Sequence, residues 1–141
     1  MNTNSYNLKE SYEDTSISYL QKKMDDYNSK LIPPENSRKI CYFLEDSEGK
    51  IIGGIMGETL WRSFHIHTIW IEKEIRGKGL GRKLIQAAEE KAKSYDCIYS
   101  MVGTFEALGA RPFYERLGYK IESKSVDSPQ GHIGYFFYKK I

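Results

Sequence analysis

The chain is poor in cysteine, in proline and in charge of one sign. Only two cysteines, Cys41 and Cys97, stand in 141 residues. They form no CxxC, and no histidine cluster lies beside them, so ligands at zinc spacing are lacking and no metal is expected. The default for such thiols is burial, in free form, in a reducing compartment. No apolar run approaches the roughly 18 residues that a membrane-crossing helix needs. The segment Met1 to Glu10 is polar and reads as neither signal peptide nor anchor. The expectation is a soluble, cytoplasmic protein with no membrane partner. Lys and Arg total 21 against 19 Asp and Glu, for a net charge of +2. That balance argues against nucleic acid as a partner, because such proteins concentrate basic charge on one face. The run Glu89-Glu90-Lys91-Ala92-Lys93 reads as the solvated face of a helix.

What remains is an ordinary globular composition, 40% hydrophobic and 28% charged. The length fits one compact domain, residues 1–141, around one core. Eleven tyrosines point to strands or to a pocket rich in stacking. Tyr6 to Glu10 reads as a short first strand. Asp14 or Thr15 can cap a helix with Ile17, Leu20, Met24 and Tyr27 at helical spacing. Lys39 to Glu45, Lys50 to Leu60 and Phe64 to Glu72 read as a meander. Gly53, Gly54 and Gly57 mark a bulge or a close backbone approach in its middle strand. Gly79 to Ser94 is the clearest helix, with Leu80, Leu84, Ile85, Ala88 and Ala92 on one face. Cys97 to Thr104 follows as a strand, then Pro112 to Leu117 as a short helix stopped by Gly118. Tyr119 to Val126 and Ile133 to Lys140 close the chain as strands. This order predicts an α/β (α+β) fold: a mixed, mostly antiparallel sheet of six to seven strands with helices on both faces.

The stretch that carries chemistry runs from Ile69 to Arg82. An apolar strand enters a basic, glycine-rich turn that opens an amphipathic helix. Unpaired amides at a helix N-terminus, together with the helix dipole, make an anion site. Gly77, Gly79 and Gly81 put no side chain between a diphosphate and those amides, while Arg76, Lys78 and Arg82 surround it with positive charge. A GxxxxGK[ST] phosphate loop is absent. Gly77-x-Gly79 lacks the third glycine of a dinucleotide fingerprint and comes late, after a meander. The plain alternative is a structural strand-to-helix turn.

Arg76-Gly77-Lys78-Gly79-Leu80-Gly81 resembles the R/Q-x-x-G-x-G/A signature of the GNAT superfamily of acyl-CoA-dependent N-acyltransferases. Ile69-Trp70-Ile71 looks like the end of that family's fourth strand. Ala110-Arg111-Pro112-Phe113-Tyr114-Glu115-Arg116-Leu117-Gly118-Tyr119 resembles its second signature, A-x-x-F-Y-x-K-x-G-F/Y. Pro129-Gln130-Gly131-His132 is similar to a turn found in short bacterial, single-domain members. The likeness covers about residues 38–141. It implies a small N-acetyltransferase that moves acetyl from acetyl-CoA directly to a primary amine of a small molecule. A protein or peptide acceptor and a catalytically silent CoA-binding module are the alternatives.

The resemblance also implies roles. The family's fourth and fifth strands splay, and the pantetheine arm pairs with backbone at Ile69, Trp70 and Ile71. An N–H near Ile71 would polarise the thioester carbonyl. The pyrophosphate would rest on amides from Arg76 to Gly81, Lys78 and Leu80 included, near Arg82. Tyr114 matches the family tyrosine beside the CoA sulfur, where a phenol can protonate a leaving thiolate; simple core packing is the other reading. For the proton of the amine the candidates are Glu72, Glu58 and the histidines His65 and His67, which share a strand face. Glu72 is taken as catalytic, and Glu58, His67 and His132 as substrate-binding. Two departures stand out. Ala107 replaces the Asn that often opens the second signature, and the link Thr104 to Ala110 is longer than usual. A homodimer through the aromatic last strand is a further expectation by fold analogy.

Overall fold

The computed structural model describes residues 5–141. The chain divides into two compact units, one ending at Pro34 and one running from Glu35 to Ile141. In the first, residues 5–13 take no regular structure, so the strand expected at Tyr6 to Glu10 is absent. A strand needs partners for its backbone groups, and here the bonds are local: the Tyr12 hydroxyl donates to Glu10 (2.6 Å) and the Glu13 amide to Ser11 Oγ (3.4 Å). Helix α1 spans Asp14–Asn28. Its N-cap is Glu13, with no side-chain cap bond, and not Asp14 or Thr15, which lie inside the first turn. Lys22 and Asp26 pair at 2.9 Å one turn apart.

The second unit opens with a meander of β1 (Lys39–Glu45), β2 (Ile51–Leu60) and β3 (Ser63–Ile71). The first turn is built by Asp46, whose carboxylate accepts the amides of Glu48 and Lys50 at 2.9 Å each. Those bonds favour the charged form and hold the Asp46 carboxyl below its usual range. Helix α2 (Leu80–Ser94) then crosses to β4 (Tyr99–Phe105), which lies parallel to β3. A parallel neighbour requires such a crossover. Helix α3 (Arg111–Arg116), β5 (Lys120–Val126) and β6 (Ile133–Lys140) complete the chain. The six strands lie in the order β1-β2-β3-β4-β6-β5. All neighbours are antiparallel except β3 and β4. This is the mixed, mostly antiparallel sheet read from the sequence.

The bulge suggested by the glycines lies between Met56 and Gly57. A Cβ on Gly57 would run into the His65 carbonyl and the Phe64 ring, so the close approach of β2 to β3 requires glycine there. The core forms on one sheet face. Leu84, Ile85, Ala88 and Ala92 of α2 are buried with Ile40, Ile55, Phe64, Ile66, Val102 and Phe137 from the strands. Cys97 is buried as expected, but Cys41 is exposed. Alternation along β1 sends Ile40 into the core and its neighbour Cys41 to the other face.

Glu89 corrects the reading of the α2 charges as a solvated face. It is only 6% exposed. Its carboxylate accepts from the Tyr119 hydroxyl (2.9 Å) and twice from Lys139 Nζ (3.0 Å each), and Ser100 Oγ lies 2.7 Å from the same hydroxyl. Burial above all holds the Tyr119 phenol far above its usual range. A buried charge is tolerated when paired and hydrogen-bonded in this way, and the four side chains tie α2 to β4, β6 and the start of β5.

Candidate active site

The site begins where β3 and β4 part. They pair only from Ser63↔Tyr99 to Ile66↔Val102. Beyond that point β4 stays with β6, as far as Phe105↔Gly134, and β3 stays with β2, as far as Gly53↔Ile71. The two parallel strands therefore fork, and Ile69, Trp70 and Ile71, paired with β2, leave their β4-side edge open as one prong.

At the tip of that prong the chain makes a single turn, Lys73–Ile75, and reaches Arg76. Gly77 and Gly79 both have φ of 78°, in the left-handed region, with nothing within 4 Å of an added Cβ. Their requirement for glycine is therefore conformational. Gly79 is the N-cap of α2 and has no side chain to cap it. The amide of Lys83 reaches the Gly79 carbonyl at 3.2 Å, while those of Leu80, Gly81 and Arg82 precede the helical ladder and have no intrahelical acceptor. They face a cleft of about 470 Å³.

One wall of the cleft is Ile69 to Ile71. The turn and the start of α2 form its end, with Arg76 and Arg82, and α3 closes the other side with Phe113, Tyr114, Arg116 and Leu117. Residues 113, 116 and 117 share one helical face, which is the signal by which Arg116 and Leu117, not assigned a role from the sequence, belong to the site. Gly81 sets how closely α2 approaches α3, since a Cβ there would lie 3.0 Å from the Phe113 ring.

The structure brings Tyr114 into the cleft and fixes its ring. It is 4% exposed and packs against Phe113, Tyr119 and Phe137, with centroids 5.2, 5.9 and 5.6 Å away. Burial raises the pKa of its phenol, which keeps the proton in place at neutral pH. Arg76 borders the cleft but turns back: Nε donates to the Ile71 carbonyl (2.8 Å) and the guanidinium stacks 4.6 Å from the Trp70 ring. Lys78 is exposed and does not line the cleft.

Five more of the sequence-derived candidates do not line the cleft. Glu72 follows β3, donates its amide to Ile52 O (3.0 Å) and borders a separate recess with Phe43, Met56, Thr68 and Trp70. It is not brought to Tyr114. Glu58 and His67 meet each other, Oε1 to Nε2 at 3.3 Å, with both side chains about half exposed. His65 is the cross-strand partner of Glu58. Burial first, and His67 second, push the His65 pKa below its ordinary value, while Glu58 opposes them. His132 is exposed in the β5–β6 turn, where its carbonyl accepts the Asp127 amide (2.9 Å) and its amide reaches Pro129 O (3.0 Å). Because Gly134 pairs with Phe105, that turn sits at the open end of the fork. Among the described residues no group of three or more His, Cys, Asp or Glu is placed to hold a metal, and no helix is long and apolar enough to cross a membrane.

A forked mixed sheet, a side-chain-free cradle at a helix N-terminus and a phenol at the far wall define a class: acyltransferases that use a nucleotide thioester. The chain belongs to the acetyltransferase (GNAT) family, whose sequence profile it matches over residues 6–119. It is an acetyl-CoA-dependent acetyltransferase of that type, with acetyl-CoA as cosubstrate. It is 34% identical over 94 residues to the blasticidin-S acetyltransferase of Streptomyces morookaense, across 66% of this chain and 68% of that protein. The crystal structure of an acetyltransferase from Bacillus cereus superposes with a TM-score of 0.85 at 26% identity, covering 96% of this chain and 98% of the other. A Bacillus anthracis structure named for streptothricin acetylation, in complex with acetyl coenzyme A, superposes with a TM-score of 0.67 at 25% identity, over 82% and 68% of the two chains.

Proposed function

We propose that this protein transfers acetyl from acetyl-CoA directly to a primary amine of a small molecule, and that residues 1–141 act as one acetyltransferase domain. The observation that carries the reading is the cleft itself, with helix-terminal amides and Arg82 at one end and the buried Tyr114 phenol on the opposite wall. The thioester supplies an activated acyl group. The chain's part is to hold the diphosphate on the amides from Gly77 to Arg82, to align the pantetheine arm along Ile69–Ile71, and to return a proton to the departing sulfur from Tyr114. A phenol held protonated by burial suits that last role, and its place in the cleft favours an enzyme over a silent CoA-binding module. The family match begins at residue 6 and so draws on both units, which supports the single functional domain. A small acceptor is favoured by the relatives named for blasticidin-S and streptothricin.

The test is calorimetric titration of acetyl-CoA into the wild-type protein and into an Arg76→Glu, Gly79→Glu variant. Micromolar binding that the variant loses supports the cleft assignment; no binding to the wild type refutes it. Self-association is proposed on a different basis from the sequence reading. β6 is paired on both sides, so a homodimer would use the free edge of β5 or the face bearing Phe136, which is 51% exposed. A monomer in sedimentation equilibrium rejects it.

A further inference from the structure

The cleft accounts for the thioester and for the proton that returns to sulfur. It contains no group to take a proton from the amine. Among its lining residues the titratable side chains are Tyr114, which is held protonated, and three arginines, which are permanently charged. An amine arrives at neutral pH as an ammonium ion and must lose a proton before it can attack. The acceptor of that proton has to lie beside the fork and outside the cleft.

We propose that the Glu58–His67 pair, on the sheet face opposite the cleft, is the general base that deprotonates the incoming amine. The assignment rests on the reading of the cleft given above and completes it. Three observations carry it. His67 is the first residue of β3 after the last β3–β4 pair, Ile66↔Val102, so it stands at the crotch of the fork. The β2–β3 register passes from Met56↔Thr68 to Gly57↔Ile66 and leaves His67 as the extra, unpaired residue. Bulges re-aim side chains in this way. Phe64 and Ile66 point into the core, so alternation sends His65 and its cross-strand partner Glu58 to the other face, where Glu58 lies 3.3 Å from Nε2 of the bulged His67.

Nε2 is the nitrogen that faces the Glu58 carboxylate, at 3.3 Å, and Nδ1 is the one left for the amine. The groups around the pair are few. Lys39 of β1 lies across from Glu58, Ser37 Oγ is 3.4 Å from Glu58 Oε2, and His65 sits beside both. At the fork β4 contributes Val102, Gly103 and Thr104, none of which is charged. His65, with its lowered pKa, is neutral at the working pH and adds no positive charge to oppose protonation of His67. The balance closes. The ammonium gives one proton to His67 Nδ1, the free amine forms the C–N bond as the C–S bond breaks, and the second N–H proton ends on sulfur. The proton on His67 leaves to water, to which that half-exposed side chain is open.

Two measurements test this. The first follows the side chains of the protein's three histidines by carbon-13 labelling while acetyl-CoA is added. The His67 resonance should move on binding the thioester, and less with CoA alone. The second measures thiol release from acetyl-CoA with ethylamine as acceptor, across pH, for wild type, His67→Gln and Glu58→Gln. Each variant should lose about 100-fold or more in kcat/KM for the amine. The deficit should narrow as rising pH supplies free amine, and acetyl-CoA affinity should stay within twofold. Failure of the wild type to bind acetyl-CoA overturns the cleft reading. Binding that leaves the His67 resonance unmoved overturns the base alone, as does a loss carried by Glu72→Gln and not by His67→Gln.

Discussion

Replacing Lys139 by methionine tests the buried network that anchors α2. The Glu89 side chain is 8% exposed and that of Lys139 26%. Glu89 receives three hydrogen bonds, two of them from Lys139. Methionine fills nearly the same volume but leaves the carboxylate with Tyr119 as its remaining donor. Breaking a buried ion pair by removing one partner costs about 3–5 kcal/mol. Lys139 is a quarter exposed, so water can replace part of what is lost, and the expected cost is near the lower end, about 3 kcal/mol. The assay is urea unfolding followed by tryptophan fluorescence. Both tryptophans, Trp61 and Trp70, lie in the unit that contains the network. At a slope near 2 kcal/mol/M, the midpoint should fall by roughly 1.5 M with the slope unchanged. Removing the charge as well, in Glu89→Gln with Lys139→Met, should recover at least about 1.5 kcal/mol, because no carboxylate is then stranded. A loss below about 1 kcal/mol in the single variant, or additive losses in the pair, would refute the argument that the buried charge governs the cost.

Tyr114→Phe keeps the ring packing and removes the phenol, so turnover should fall by about 100-fold while acetyl-CoA affinity in the calorimeter stays the same; unchanged turnover removes the acid role. Gly81→Ala gains about 1 kcal/mol of helix propensity but places a Cβ 3.0 Å from Phe113, and overpacking of that kind costs about 1–3 kcal/mol. Chemical denaturation should show a net loss, together with weaker acetyl-CoA binding as α3 shifts. His65 has a folded pKa below its unfolded value of 6.5. The unfolded state therefore binds more protons in that window, so stability is full above about pH 6.5 and declines as pH falls below it. His65→Gln should flatten that slope in urea midpoints measured between about pH 7 and 5.5.

The elements with strong periodicity were legible in the sequence. The α2 face Leu84-Ile85-Ala88-Ala92 and the closing strand Ile133–Lys140 lie where spacing put them. The failures have physical causes. Tyr6 to Glu10 has strand-like residues, but pairing is decided by a partner and not by the segment. Glu89 looked solvated because a run of alternating charges normally is; its burial depends on Tyr119 and Lys139, which are 30 and 50 residues away. Glu72 and Glu58 were indistinguishable as strand-end acids. Only the bulge at Met56/Gly57 and the fork after Ile66 separate them, and both are matters of register between strands.

The glycine-rich turn shows how one motif can carry two kinds of information. Gly77-x-Gly79-x-Gly81 reads as a single signal for a bare phosphate cradle. In the structure the first two glycines are set by backbone conformation, with empty space where a side chain would go. The third is crowded by the neighbouring helix, since a Cβ would lie 3.0 Å from the Phe113 ring. Substituting Gly79 therefore disturbs the cradle, and substituting Gly81 disturbs the angle between α2 and α3 and, with it, the wall that holds Tyr114. The two signatures, separated by about 30 residues in the sequence, are thus halves of one packing arrangement: the turn lines one end of the cleft, and its last glycine leaves room for the Phe113 ring beside Tyr114. On the other face of β3, His65 and His67 lie beside Glu58. With the base proposed above, the donor and acceptor sides of the reaction are divided between the two faces of one sheet.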